Sequence, residues 1–488
     1  MSQEKPVSVE RMLSRALHRI RTTPPRIIAS PATQPRRAAV ALVIRVVPSP
    51  TSGPFPSDAP IPTLSEFFEL DWAKDPTARA EILFLRREGS GSSDGVPGSN
   101  VLKNPGASDA NPKGKGKPEA NVAFPGGRME EGDEGGLYTA MRQTWEEIGL
   151  DLAERDFTCI GQLDDREITT SLGKRLLMIL SPFVFLQLTP HQIHTDPALG
   201  TSIHWTPLAT LVGAVFPGRV SGEMESKARW SSVTVDAASR LTPRHAAILK
   251  VLVRVLVGSM QFPAILLDLS VLDDHSLAST SSPKSSALSK DAAYSSLTQD
   301  ILEKGMPSGQ KQNKKKKGER HQLKLWGLSL GMTLDLLANM VPPSSLPASS
   351  VLPPPPLSVS SAHPPQQQLH SDSESPFMSG MQLPFCPVGG EGLRIDTVAP
   401  SLASVFPRFS YPDVNFWIWV FGKRYREVVR GWEASMRGGG SNDRRINWTG
   451  TTLNTFYAAV RKALIVVIVL RAIGVIFGLA FAGWWIIS

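Results

Sequence analysis

Apolar and polar positions along this chain fall into runs of two different periods. AAVALVIRV (38–46) is a short apolar run rich in β-branched residues and predicts a buried strand; AEILFLRRE (80–88) predicts a second. FTCIGQL (157–163) and RLLMILSPFVFLQL (175–188) predict two more. Between these pairs a Gly-rich turn precedes an amphipathic helix over roughly 134–148. PRHAAILKVLVRVLVG (243–258) predicts another helix, with Pro243 in its first turn and Gly258 at its C-terminal cap. LKLWGLSLGMTLDLLANM (323–340) is a further ordered segment. Near the start, Leu13, Ala16, Leu17 and Ile20 recur at helical spacing.

Stretches without periodicity separate these elements. Residues 89–120 and 270–322 are rich in Gly, Ser, Pro and Lys, cannot bury a core, and read as flexible inserts in a folded domain. The run Lys314–Lys317 in the second is either solvated linker or a nuclear address or anion patch. The expected organisation is a basic N-terminal segment (1–37), a domain over 38–340 with those two inserts, and a Pro/Ser-rich linker (341–407). A basic, Trp-rich region (408–462) and an apolar stretch (463–487) complete it.

Composition narrows the class. A length of 488 residues allows about three domains. The 41 Pro and 39 Gly, clustered in the aperiodic stretches, turn much of that length into linker. A mean hydropathy of −0.09 with a single long apolar run excludes a multi-span membrane protein. Two cysteines, Cys159 and Cys386, exclude a disulfide framework or a four-thiolate zinc site, which points to a reducing compartment. A net charge of +8 favours anionic partners without choosing among them. Nine Lys/Arg precede Val46 against Glu4 and Glu10, so the N-terminal helix is either an Arg-rich presequence or a surface helix leading into the domain.

Ala463 to Ile487 is 25 residues with one charge, Arg471, long enough for a membrane span where ~20 apolar residues suffice. Its place at the end of the chain predicts a single-pass tail anchor. Arg471 is expected to snorkel towards the near face, and Trp484 and Trp485 to sit at the far one. Ten Lys/Arg against four Asp/Glu between Arg408 and Lys462 predict that the bulk of the chain faces the cytosol, where the N-glycosylation acceptor pattern Asn447-Trp448-Thr449 would stay without sugar. A buried soluble helix is the alternative.

Candidate chemistry concentrates in FPGGRMEEGDEGGLYTAMRQTWEEIGLDL (124–152). Gly126 and Gly127 permit a tight turn and close backbone approach. Spacings of three and four place Gln143 on one helical face with Glu146 and Glu147. Two carboxylates and an amide oxygen are hard ligands of the kind Mg²⁺ or Mn²⁺ takes; an ordinary acidic surface helix has the same composition. The segment resembles the Nudix box, G-x5-E-x7-R-E-U-x-E-E-x-G-U. Gly127 matches the leading Gly, Asp133 the middle acid, and Arg142, Glu146, Glu147, Gly149 and Leu150 the end. Eight residues instead of seven separate Asp133 from Arg142, and with FPGG and TAMRQ this resembles the coenzyme A diphosphatase branch of the Nudix hydrolases.

RLLMILSPFVFL (175–186) and LWGLSLGMTLDLL (325–337) are similar to later segments of that branch, a strand with a central Pro and a closing W-G-x-T-type helix with Ser329 or Thr333 near the Thr position. HWTPLATL (204–211) resembles the W-x-P-L turn of Nudix domains. The branch's upstream strand end, which leads directly to FPGG, is interrupted by the first insert. Gln143 stands where the family has a carboxylate, which implies weaker metal binding. The resemblance implies an α+β fold, a Nudix-like α/β/α sandwich with a mixed sheet. It further implies metal-dependent hydrolysis of a nucleoside diphosphate derivative, most closely coenzyme A or acyl-CoA, to 3′,5′-ADP and a 4′-phosphopantetheine product. Glu146 and Glu147 are the implied Mg²⁺ or Mn²⁺ ligands with Gln143 auxiliary, Arg142 holds a glutamate, and Gly126, Gly127 and Arg128 meet substrate. Asp164, Asp165 and Glu167 are candidates for a further ligand or base, or a solvated loop; Lys174–Arg175 faces a 3′-phosphate or solvent. No nucleic-acid partner is expected. The rival reading is a non-catalytic, membrane-tethered Nudix module that binds nucleotide or a protein, and a third is a hydrolase for another pyrophosphate.

Overall fold

The computed structural model describes residues 8–30, 36–50, 60–75, 77–87, 121–169, 176–191, 193–215, 229–238, 247–268, 322–340, 407–424, 427 and 450–487. Nearly all of these belong to one compact unit, Met1–Leu267 with Leu323–Ser488. The second unit, Asp268–Gln322, lies almost wholly outside them. Residues 89–120 and 270–321 of the expected inserts, 341–406 of the linker, Lys174–Arg175, Pro243, Lys314–Lys317 and Asn447 also lie outside the described residues.

β1 (Arg37–Val47) is the axis of the sheet because it is apolar on both faces, with Ala38 through Ile44 all at 3% exposure or less. It pairs antiparallel with β2 (Arg79–Arg87) and parallel with β7 (Leu176–Gln187), so the sheet is mixed. β3 (Asn121–Ala123) adds to β2, and β4 (Gly126–Arg128) to the start of β1. β5 (Phe157–Gln162) and β6 (Arg166–Thr169) both pair with β7, and β8 (Thr201–Pro207) with β2. β9 (Arg229–Asp236), β10 (Ser259–Asp268), β11 (Gln322–Trp326) and β12 (Arg408–Phe409) extend the other side.

Helices cover both faces. The short α2 (Leu64–Phe67) and α3 (Asp71–Lys74) lie in the β1–β2 connection. α4 (Gly136–Ile148) packs Ala140 and Ile148 on Ala39, Ala41, Val43 and Phe185. The opposite side takes α1 (Val9–Thr22), which packs on β5 and on the later helix Gly327–Met340. Met12, Leu13, Ala16 and Leu17 are buried there, so α1 contributes a core layer, unlike the presequence or surface helix its charge suggests. α5 (Leu208–Val215) follows β8 without a loop, so the expected turn at 204–211 is a strand end and a helix start. α6 (Ala247–Val257) ends at Gly258, whose φ of 77° is the left-handed region and whose N–H donates to the Arg254 carbonyl. α7 (Gly327–Met340) buries Thr333, whose hydroxyl donates to the Ser329 carbonyl at 2.8 Å; both serve the helix interior.

α8 (Pro412–Phe421) and α9 (Gly450–Ile487) form a separate cluster with α6, β10 and β12. Thr455–Ile486 of α9 is long and apolar enough to cross a membrane by length and composition. Within the expected span of 463–487, Ala463, Leu464 and Val467 are buried against α8 and α6. Arg471, expected to snorkel, has partners within the protein. Its Nη2 donates to Asp413 at 2.6 Å, Nη1 donates to the Leu256 carbonyl, and the guanidinium lies 4.4 Å from the Tyr411 ring centroid. The charge is met by protein at a partly exposed position, with the Arg471 side chain 25% and the Asp413 side chain 43% exposed.

Candidate functional site

The site begins where β4 folds back on β1, with Ala39 opposite Gly127 and Val40 opposite Gly126. Gly126 has φ 149°, and a Cβ there would lie 2.4 Å from the Ala39 carbonyl oxygen, so only glycine fits. At Gly127 the obstacle is different: a Cβ would meet the Gln143 Oε1 at 1.9 Å. The missing side chain of Gly127 is therefore the space in which the Gln143 amide rests.

Asp133 sets the start of α4. Its carboxylate accepts from the Glu130 N–H at 2.9 Å and the Thr139 hydroxyl at 2.8 Å. Arg142 grips both its oxygens, at 2.8 Å each, and the Asp133 side chain is only 2% exposed. That bidentate pairing holds the Asp133 carboxyl well below the ordinary range, at about 2, and pushes Arg142 up. Arg142 also donates to Glu146 at 2.9 Å and to the Arg128 carbonyl at 3.3 Å. Gln143 Nε2 donates to the second Glu146 oxygen at 2.9 Å. Gly149, at φ 67°, closes the helix with its N–H on the Trp145 carbonyl.

Glu147, one residue on, faces the sheet. Arg87 at the end of β2 donates to both its oxygens, at 2.5 and 2.7 Å, and the Gly126 N–H donates at 3.2 Å. Arg87 was missed in the sequence reading. The remaining donor of its guanidinium, Nη1, is buried with no hydrogen-bond partner among the described residues. Alternation from Leu83 and Leu85, which pack under α4, is the signal that selects Arg87 over Arg86.

Gly126, Gly127, Arg142, Gln143, Glu146 and Glu147 thus converge. Arg128 does so only through its carbonyl: it pairs with Ala38, so its side chain takes the face opposite Gly127. Asp164 and Asp165 belong elsewhere. Asp165 is fully buried and accepts from Arg37 and Ser181 at 2.7 Å each, Gln162 at 2.6 Å and the Ile28 N–H at 2.9 Å. Asp164 accepts from the Arg26 N–H at 2.8 Å. These carboxylates fasten residues 26–28 to the sheet and are neither a solvated loop nor open ligands. Glu167 lies in β6 opposite Ile179.

Among the described residues no three His, Cys, Asp or Glu side chains are grouped to hold a metal ion. The two glutamates and the Gln143 amide oxygen fit an oxygen-preferring divalent cation in kind, with the amide resting where Gly127 has no Cβ. Both glutamates are meanwhile balanced by Arg142 and Arg87.

No protein-family model matches the chain. An uncharacterized protein of Schizosaccharomyces pombe is 31% identical over 148 residues, which are 30% of this chain and 41% of that protein. The chain therefore spans under half the length of this curated relative. Among solved structures, the NUDIX domain of Shewanella oneidensis NrtR complexed with ADP-ribose is similar at 12% identity. The match covers 38% of this chain and 78% of that one with a TM-score of 0.19, too low to bear on the fold.

Proposed function

We propose that the chain is a Nudix-type pyrophosphohydrolase that acts on a nucleoside diphosphate derivative, with coenzyme A or acyl-CoA as the substrate to test first. The observation that carries the reading is the arrangement over Gly126–Gly127: a helix presents Gln143, Glu146 and Glu147 to a backbone turn, and Arg87 adds a buried unpartnered donor. A divalent cation held by Glu146, Glu147 and the Gln143 oxygen would supply Lewis-acid charge neutralisation and an activated water. The chain's own contributions are positional. Arg142, locked to Asp133, fixes the Glu146 carboxylate, and Arg87 offers Nη1 to a phosphate oxygen beside Glu147. The test is the full-length chain in detergent micelles, assayed with Mg²⁺ and Mn²⁺ on coenzyme A and a panel of pyrophosphates. Cation-dependent release of 3′,5′-ADP from coenzyme A is expected; inertness on the whole panel removes the enzyme reading.

A second reading, a nucleotide-binding module without catalysis, is favoured by two features of the same site. Position 143 is a neutral amide, and both Glu147 oxygens are engaged by Arg87. Calorimetric nucleotide binding with no turnover, unchanged by Gln143→Glu, would select it. For location, the apolar length of α9 supports a membrane anchor with the Nudix-like region on the cytosolic side. Resistance to carbonate extraction and absence of sugar on Asn447 are the expected results; glycosylated Asn447 would reverse the orientation.

A further inference from the structure

α6 carries nine apolar residues in eleven, and they point to two opposite sides. Val253 and Val257 pack into the cluster with α8 and α9. Ile248, Val251, Leu252 and Val255 form one stripe at spacings of three, one and three, and they are 87, 63, 49 and 63% exposed. Four large aliphatic side chains in water on one short helix are a surface awaiting an occupant.

The neighbourhood says which. The C-terminal end of α6 is joined to α9 at one level: Arg471 donates to the Leu256 carbonyl, and the Tyr411 hydroxyl donates to the Val255 carbonyl at 3.2 Å beneath the same guanidinium. Beyond Arg471, α9 is bare all round, from Ile473 at 44% to Trp485 at 75%. Residues 472–487 carry no charge and no polar side chain besides the two indoles. A helix apolar on every side fits lipid better than a protein groove, which would meet only one face. That bare stretch is about 24 Å long at 1.5 Å per residue, short of the ~30 Å hydrocarbon core. Further exposed apolar positions, Ile465, Val469 and Leu470, lie just before it, on the same helix that α6 packs against. Arg254 flanks the α6 stripe, 69% exposed and paired with Asp236, so the stripe is bordered by a polar group of the kind that sits at headgroup level.

We infer that α6 is a second membrane contact. Its stripe lies in the headgroup–acyl boundary of an anionic bilayer beside the point where α9 enters, and the Arg471–Asp413 pair is held by protein at that surface. The inference rests on the anchor reading of α9, and the experiment separates the two. Full-length chain with Cys159→Ser and Cys386→Ser receives one new cysteine, Val251→Cys, Val255→Cys, Ile476→Cys or the fully exposed loop position Leu199→Cys, labelled with a bimane. Each is reconstituted with vesicles of phosphatidylcholine and phosphatidylserine, with or without brominated acyl chains. Expected is loss of emission to bromine at 251, 255 and 476 with little loss to aqueous iodide, and the reverse at 199. Bromine quenching at 476 with iodide quenching at 251 and 255 overturns the inference and leaves the anchor standing. Shielding of 251 and 255 from both quenchers assigns the stripe to a protein partner or a second copy and also overturns it. Iodide quenching at 476 removes the anchor reading and the inference with it.

Discussion

Glu147 and Glu146 are adjacent, yet their surroundings differ, and so do the expected effects of changing them. Glu147 is enclosed by Arg87 and the Gly126 N–H; Glu146 is 45% exposed and steered by Arg142 and Gln143. Glu147→Gln should abolish cation-dependent turnover, a loss of about 100-fold or more, since several kcal/mol of transition-state stabilisation correspond to tenfold per 1.36 kcal/mol. If both Glu146→Gln and Glu147→Gln stayed within about threefold of wild type, the ligand assignment would be wrong. Gln143→Glu adds a negative donor beside Glu146 and should lower the Mg²⁺ or Mn²⁺ needed for half-maximal rate, read by titrating the cation. Asp133 governs the acid limit. Its carboxyl is depressed from ~3.9 to about 2, so its contribution is present above pH ~4 and lost as pH falls through about 2. Urea unfolding should therefore separate wild type from Asp133→Asn by about 1–3 kcal/mol near neutrality and bring them together below pH ~2. A gap that persisted at low pH would place the effect in packing.

At the scale of the element, the two glycines of β4 make opposite forecasts. Gly126→Ala drives a Cβ into backbone at a positive φ, and a large loss of folding stability should follow. Gly127→Ala meets the Gln143 side chain from Oε1 back to Cγ and no backbone among its three nearest atoms, so the fold should survive once that side chain turns away, with near-normal thermal stability, while activity falls. Equal melting temperatures for the two variants would contradict this geometry. The elements that sequence pattern located, β1, β7 and α4, are those with an uninterrupted period and chemistry carried inside one segment. What pattern could not locate depended on distant partners. An Arg-rich helix with an apolar stripe looks alike whether the stripe faces a receptor, a membrane or a core, and the partner of α1 is ~300 residues away. Arg87 and Arg86 are distinguishable only once strand parity under α4 is known. The acids at 164 and 165 resemble open ligands until residues 26–28 lie across them.

Across the whole molecule, the region after residue 407 is integrated with the rest of the fold. β12 pairs with β10, and α8 and α9 share a cluster with α6. Truncation after Lys462 would strip Ala463, Leu464 and Val467 from that cluster, at about 1.5–3 kcal/mol for each larger side chain, whereas truncation after Arg471 keeps them. The shorter chain should melt earlier and aggregate, and the longer should match the full-length melting temperature in detergent. Identical melting of the two would mean that residues 463–471 contribute nothing to the cluster's stability.

The seating of α1 on α7 also fixes an order of events during synthesis. Residues 9–22 are made well before α7, one of the elements α1 packs on, which follows ~300 residues later, roughly 15–60 s at about 5–20 residues per second. For that interval a basic amphipathic helix stands open to whatever reads nascent chains, and loop-closure entropy delays its docking further. Ribosome-bound chains stalled before Gly327 should leave α1 open to protease, and chains stalled well beyond Met340 should protect it. The same fourteen residues would thus be an exposed, positively charged signal early in the life of the chain and an interior wall afterwards.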